Sequence, residues 1–358
     1  MKVGNIRGIT GLRGLAAWLV VFYHFREPFA WAGDTWIMKV VGQGFLAVDL
    51  FFVLSGLVIY LNYHTDFQQL RPVNMLLFYG KRLARIYPLH ITILLMYLLN
   101  PLAIVFASSS ATLDGRYDPA YFLMSIFLVQ NWGFTDELAW NIPAWSISTE
   151  FAAYLLFPLL VFGLKRVAQA GWAWLWFVFA LCLLGLPGLY LSMDSPSLGA
   201  NISHLGVYRC VIEFTMGLVL GYWYIRYRHS SVAISRYAML GLLAWGLLAV
   251  ATGQLADYWV APLAFSLLIA VFFDGGSLLS KAFGGRIPNY LGEISYSTYL
   301  VHYFVKDWVK FLSPELGVGS FVVYVALVFA LSAILYKQVE TRFRLGLYRR
   351  LSVFKAQG

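Results

Sequence analysis

The sequence predicts an all-α, polytopic membrane protein with about ten transmembrane helices and one short re-entrant or interfacial segment at 121–130. Three observations predict it. Charged residues are only 12% of the 358, while 60% are hydrophobic; soluble domains carry roughly 25% charged residues. The apolar residues gather into stretches close to the ~20 residues that a helix needs to cross a bilayer. Basic residues collect in alternate loops, the distribution that orients membrane spans.

The apolar stretches fall at 11–31, 44–62, 87–108, 146–164, 172–192, 205–225, 237–252, 258–273, 289–308 and 318–336. Lys2 and Arg7 precede the first, and Ala30-Trp31-Ala32 resembles a signal-peptidase site. That run also holds His24 and Arg26, and many further spans follow, so an uncleaved first span is expected. Tyr121 to Gln130 has only ten residues, a helix of ~15 Å against the ~30 Å of a bilayer core. With the N-terminus inside, twenty Lys and Arg residues lie on the cytoplasmic side and five outside: Arg26, Lys39, Arg116, Lys306 and Lys310. Counting 121–130 as a full span would destroy this bias, so both termini are expected in the cytoplasm. His64 to Lys81 and Asp274 to Gly285 read as cytoplasmic loops. Residues 8–337 form the expected membrane-embedded domain and 338–358 a short basic cytoplasmic tail, with no soluble catalytic domain at either end.

The formal charge of +9 sits mainly in these short loops, which speaks for topology and against nucleic acid as a partner. Cys182 and Cys210 both lie in apolar segments and suggest neither a disulfide framework nor a metal site. No Ser-His-Asp motif or metal-ligand cluster is evident, so hydrolase and zinc chemistry are not expected.

An ionisable side chain inside a span costs roughly 2.5–3.5 kcal/mol on insertion scales, so each one requires a partner or a function. Arg13 and His24 are eleven steps apart in the first span, about three full turns, so they share a face ~16.5 Å apart. Asp49 enters from outside in the second span, where it can meet His24 and orient its imidazole, or simply face water. In the fourth span Ser146 and Glu150 are one turn apart; an interfacial Trp145 and helix capping account for the hydroxyls but not for Glu150. In the ninth, Ser295, Thr298 and His302 make one polar stripe, which also serves as helix–helix glue. Arg209 and Glu213, at i and i+4, read as a self-neutralising pair. Arg82 and Arg85, three apart at the inner mouth of the third span, carry positive-inside charge or grip a phosphorylated ligand with their forked donors.

A His beside a carboxylate in the outer half can act as general base on a hydroxyl, while a basic cluster at the inner face suits a cytoplasmic phosphorylated donor. These residues carry a resemblance. Arg13-x10-His24, Gly44 through Asp49-Leu-Phe-Phe-Val-Leu-Ser55-Gly56, Arg82-x-x-Arg85, Trp145-Ser146-x-x-x-Glu150 and Tyr296-x-x-Tyr299-Leu-x-His302 occur in order. Over about residues 8 to 337 the chain resembles the acyltransferase-3 family of integral-membrane O-acyltransferases. The resemblance implies transfer of an acyl group, commonly acetyl from acetyl-CoA, to a hydroxyl of an extracytoplasmic glycan or glycolipid such as O-antigen, exopolysaccharide or peptidoglycan. It implies a place in the bacterial cytoplasmic membrane, His24 as the catalytic histidine, and Arg13, Arg82 and Arg85 around the donor. Asp49 and Glu150 are the acids expected beside His24, with Ser146, Tyr296, Tyr299 and His302 as supporting polar groups and no metal. Some relatives carry an appended hydrolase-like domain, so direct transfer and completion by a separate extracytoplasmic protein both stay open. The competing reading is a transporter or exporter with a His/acid proton relay, and a third is a non-catalytic sensor.

Overall fold

A computed structural model of the chain describes residues 7–33, 35–107, 115–251, 256–313, 315–343 and 345–346. It is all-helical, with no strand among the described residues. Among the described residues, ten helices have fifteen residues or more: α1 Arg7–His24, α2 Ala47–Tyr63, α3 Pro72–Met96, α4 Trp145–Ala170, α5 Trp172–Ser192, α6 Ile202–Tyr227, α7 Ser231–Ala251, α8 Asp257–Val271, α9 Ser295–Leu312 and α10 Val318–Leu335. Each overlaps one of the apolar stretches read from the sequence. Six helical stretches among the described residues are long and apolar enough to cross a membrane by length and composition: Gly44–Tyr63, Pro72–Ala107, Ile142–Ala170, Trp172–Ser192, Ile202–Gly246 and Val318–Phe343. α1 and α9 stay outside that set although each has 18 residues, because Arg7 and Arg13 on the first and Lys306, Asp307 and Lys310 on the second lower their apolarity. Lys2 and residues 347–358, most of the expected basic tail, lie outside the described residues.

Several boundaries differ from the sequence reading. α1 ends at His24, not near 31, because Arg26-Glu27-Pro28 opens a separate 3₁₀ turn, Glu27–Ala32. α3 starts at Pro72 inside the stretch expected to be a loop, with proline at a helical first position that needs no amide donor. Arg82 and Arg85 therefore stand in the middle of a 25-residue helix rather than at its start. The 274–285 loop contains a short helix, Leu278–Phe283, begun by Ser277, whose side chain accepts from the Ser280 amide. Residues 121–130 comprise most of an eight-residue helix, Pro119–Ile126, capped by Asp118, followed by a turn in which Leu128 has φ 60°. This helix is tied to α3 by His90 Nε2, 2.8 Å from the Ser125 carbonyl oxygen.

The bundle is locked where backbones touch. A Cβ added at Gly56 of α2 would come 2.0 Å from the Phe214 carbonyl oxygen of α6, and one at Gly217 would come 2.1 Å from the Val53 oxygen. Only glycine permits this approach, which is how membrane helices pack without a hydrophobic drive between them. Gly217→Leu is therefore expected to force α2 and α6 apart at a cost of at least ~1–3 kcal/mol. The check is detergent size-exclusion and thermal unfolding: a monodisperse variant melting with the wild type would contradict it.

α1 and α9 run in the same direction side by side, since Arg13 meets Ser295 while His24 meets His302. This agrees with spans that both enter from the same side. Together with α2, α3 and α4 they enclose the polar groups described next.

Candidate active site

Three arginines from two helices converge on a cavity of about 170 Å³ whose other walls come from α2, α4 and α9. Arg13 Nη2 donates to Ser295 Oγ at 3.0 Å. Arg82 Nη2 donates to the Tyr63 hydroxyl at 2.9 Å, and its guanidinium lies 5.0 Å from the Tyr63 ring centre and 5.9 Å from that of Tyr154. Arg85 makes an ion pair with Glu340, whose second oxygen accepts from Ser297 at 3.2 Å. Glu340 is buried although it lies three residues past the boundary expected at 337. The fourth wall is Glu150, whose Oε1 accepts from the Ser55 hydroxyl and, at 2.6 Å, from the Tyr154 hydroxyl. Three guanidiniums against two carboxylates leave the cavity with an excess positive charge, the electrostatics that suits a phosphorylated ligand.

Tyr299 joins this cavity to the histidines. Its hydroxyl lines the cavity, where Ser146 Oγ stands 2.9 Å away, and donates to the Pro143 carbonyl at 3.1 Å. Its own carbonyl oxygen lies 2.6 Å from Nδ1 of His302. Tyr296, one turn earlier, also lines the cavity and donates to the Ile86 carbonyl at 2.7 Å. His302 is fully buried, and its Nε2 sits 3.3 Å from Nδ1 of His24. That same Nδ1 is 3.0 Å from the Val20 carbonyl oxygen one turn back in α1. His24 is half-buried at the end of its helix.

Two tyrosines flank His24, Tyr23 with its ring centre 4.8 Å away and Tyr303 at 5.3 Å. Each carries a cation: Arg26 lies 4.3 Å over Tyr23 and Lys306 3.7 Å over Tyr303. The acids of this rim are engaged, Asp307 by Arg116 and Glu27 by Lys310 at 2.7 Å. Burial raises the Glu27 carboxyl, but the hydrogen bond and charge of Lys310 outweigh it and hold the group below the usual carboxylate range.

The structure corrects two partnerships expected from the sequence. Asp49 does not meet His24. It is fully buried between α2 and α6, where its two oxygens accept from Nε and Nη2 of Arg209, each at 2.6 Å. Nη1 of Arg209 donates to the Leu198 carbonyl at 2.5 Å. A planar guanidinium satisfies a carboxylate with two parallel donors, so Asp49 is committed to α6 and Arg209 is not neutralised by Glu213 alone. Glu213 is buried beside this pair. Glu150 likewise sits with Ser55 and Tyr154 rather than with His24. Sequence reasoning missed Tyr154 and Glu340, and included Ser55 in a matching stretch without giving it a role. Tyr154, four residues after Glu150, was findable from helical spacing; Glu340 was not, standing among basic residues. Among the described residues, no three His, Cys, Asp or Glu side chains cluster as metal ligands would.

Comparison with known proteins fits this geometry. The acyltransferase domain family matches residues 6–337, nearly the whole chain, and the chain belongs to that family. Acyltransferase MdmB of Streptomyces mycarofaciens is 26% identical, over 88% of this chain and 83% of its own length. O-acetyltransferase OatA of Staphylococcus aureus (strain NCTC 8325 / PS 47) is 22% identical over 94% of this chain, which spans only 57% of that longer protein. No solved structure matches. The protein is thus a membrane acyltransferase.

Proposed function

We propose that the protein moves an acyl group, acetyl foremost, from cytoplasmic acyl-CoA to a hydroxyl of an extracytoplasmic glycan at the bacterial cytoplasmic membrane, with about ten spans and both termini inside. The observation that carries this reading is the arginine-lined cavity reaching, through the single residue Tyr299, a histidine pair at the opposite end of α1 and α9. Arg82, Arg85 and Arg13 hold the donor phosphates, for which forked guanidiniums are well suited. At 10–15 Å³ per water the cavity holds on the order of a dozen waters.

His24 Nε2 takes the proton of the acceptor hydroxyl as its oxygen attacks the thioester carbonyl. A new C–O bond forms, the C–S bond breaks, and the imidazolium returns its proton to the CoA sulfur. OatA-like and MdmB-like proteins are named for acyl transfer, and a glycan acceptor follows from the family resemblance.

The test is thermal unfolding of purified protein with acetyl-CoA, since a ligand at one hundred times its Kd stabilises by ~2.7 kcal/mol. The wild type is expected to melt higher with acetyl-CoA, whereas Arg82→Ala and Arg85→Ala lose that increment. The difference with and without ligand is read for each variant, because Arg85→Ala also strands Glu340. An unchanged wild-type melt would remove the donor site and favour a transporter. Mass spectrometry of surface glycans with and without the protein then identifies the acceptor.

A further inference from the structure

Three acids that could partner a catalytic histidine are occupied elsewhere: Asp49 by Arg209, Glu150 by Ser55 and Tyr154, and Asp307 by Arg116. The group that does meet His24 is another imidazole. His302 Nδ1 lies 2.6 Å from the Tyr299 carbonyl oxygen. A carbonyl only accepts, so this nitrogen carries the hydrogen, and Nε2 of the neutral ring is a bare acceptor. That acceptor faces Nδ1 of His24 at 3.3 Å. His24 Nδ1 also faces the Val20 carbonyl at 3.0 Å. Two acceptors around one nitrogen require it to be the protonated one, so the bare nitrogen of His24 is Nε2, which has no partner among the described residues. The chain of bonds therefore runs from the Tyr299 carbonyl through His302 to His24 and ends on a lone pair.

We infer that His302 is the positioning partner of His24: its Nε2 accepts the Nδ1–H, fixes the ring and its tautomer together with Val20, and stabilises the imidazolium formed when Nε2 takes the acceptor's proton. A carboxylate does this in serine-hydrolase triads. Here a buried neutral ring does so, which leaves no net charge in the interior while His24 waits. Once His24 is charged, its Nδ1–H becomes a stronger donor aimed at a ready acceptor. Full burial of His302 and its own tether to Tyr299 keep the acceptor in place. Because Tyr299 also lines the donor cavity, the same residue links the base to the thioester.

This inference rests on His24 as the base, and the experiment separates the two. Phe at 302 keeps the ring's bulk but removes the acceptor; Gln keeps an acceptor near the position of Nε2 but not the ring. His302→Phe is expected to lower kcat by roughly 10²-fold with the KM for acetyl-CoA little changed, and His302→Gln to recover most of that loss. If the Phe variant works like the wild type, or the Gln variant is as defective as the Phe variant, His302 serves packing alone and the inference falls. His24→Ala, run in parallel, reports on the base itself. An inactive His24→Ala beside a fully active His302→Phe overturns only the pairing, whereas an active His24→Ala overturns both.

Discussion

Replacing His24 with alanine is expected to slow acyl transfer by roughly 10²–10⁴-fold, the range a positioned general base contributes, while leaving the acetyl-CoA-dependent rise in melting temperature intact. The two halves of this expectation come from separate facts. His24 does not line the arginine cavity, so its loss removes no donor contact. It does end a hydrogen-bonded chain in the only half-buried imidazole nitrogen without a partner among the described members of that chain. The variant should still fold, because His24 is the last residue of α1 and alanine is a better helix former than histidine. The structural cost falls on His302, whose buried acceptor loses its donor, at ~1–3 kcal/mol. Labelled acetyl transfer and the ligand-dependent melt should be measured on one preparation. Wild-type transfer by His24→Ala would remove the base; loss of the acetyl-CoA increment would show that His24 belongs to the donor site.

Much of this arrangement was legible in the sequence, for reasons that are themselves physical. Helical periodicity put Arg13 and His24 on one face, and both do contact α9, through Ser295 and His302. The stripe of Ser295, Thr298 and His302 likewise faces inward, all three being buried. Such facts are local to one helix and follow from its pitch. The meeting of Arg13 with Arg82, Arg85 and Glu150 in one cavity was not legible from spacing, because it depends on how five helices pack; the family resemblance grouped the three arginines but placed Glu150 with His24. Ser55 was visible only as part of the family-matching stretch, with nothing local to tie it to Glu150. Glu340 lay beyond the expected domain, and only the continuation of α10 through Tyr336–Glu340 carries it back to Arg85.

Asp49, which pairs with Arg209 rather than meeting His24, leads to the second large effect. Asp49→Asn is expected to destabilise the folded protein by ~3–5 kcal/mol, the cost of removing one partner from a buried ion pair. Arg209 is 1% exposed and Asp49 fully buried, so water cannot replace the lost charge. Asparagine keeps one acceptor oxygen but presents an amide where the second donor of the fork needs an acceptor. The effect should be severe because α2 and α6 are also the helices whose glycines bring their backbones into contact, which leaves little slack between them. Asp49→Leu combined with Arg209→Met, in a Glu213→Gln background that leaves no buried carboxylate behind, should regain much of the loss, since apolar replacement of a whole buried ionic cluster is often neutral. An Asp49 that oriented His24, one of the two arrangements the sequence left open, would give the opposite consequence, an enzyme that folds normally and turns over slowly. Melting temperature and kcat on the same variant separate the two. If Asp49→Asn melts with the wild type and loses only turnover, Asp49 acts on His24 after all. If it unfolds early, and the combined variant recovers both stability and acetyl transfer, Asp49 is a clamp between two helices and the imidazole pair works without an acid.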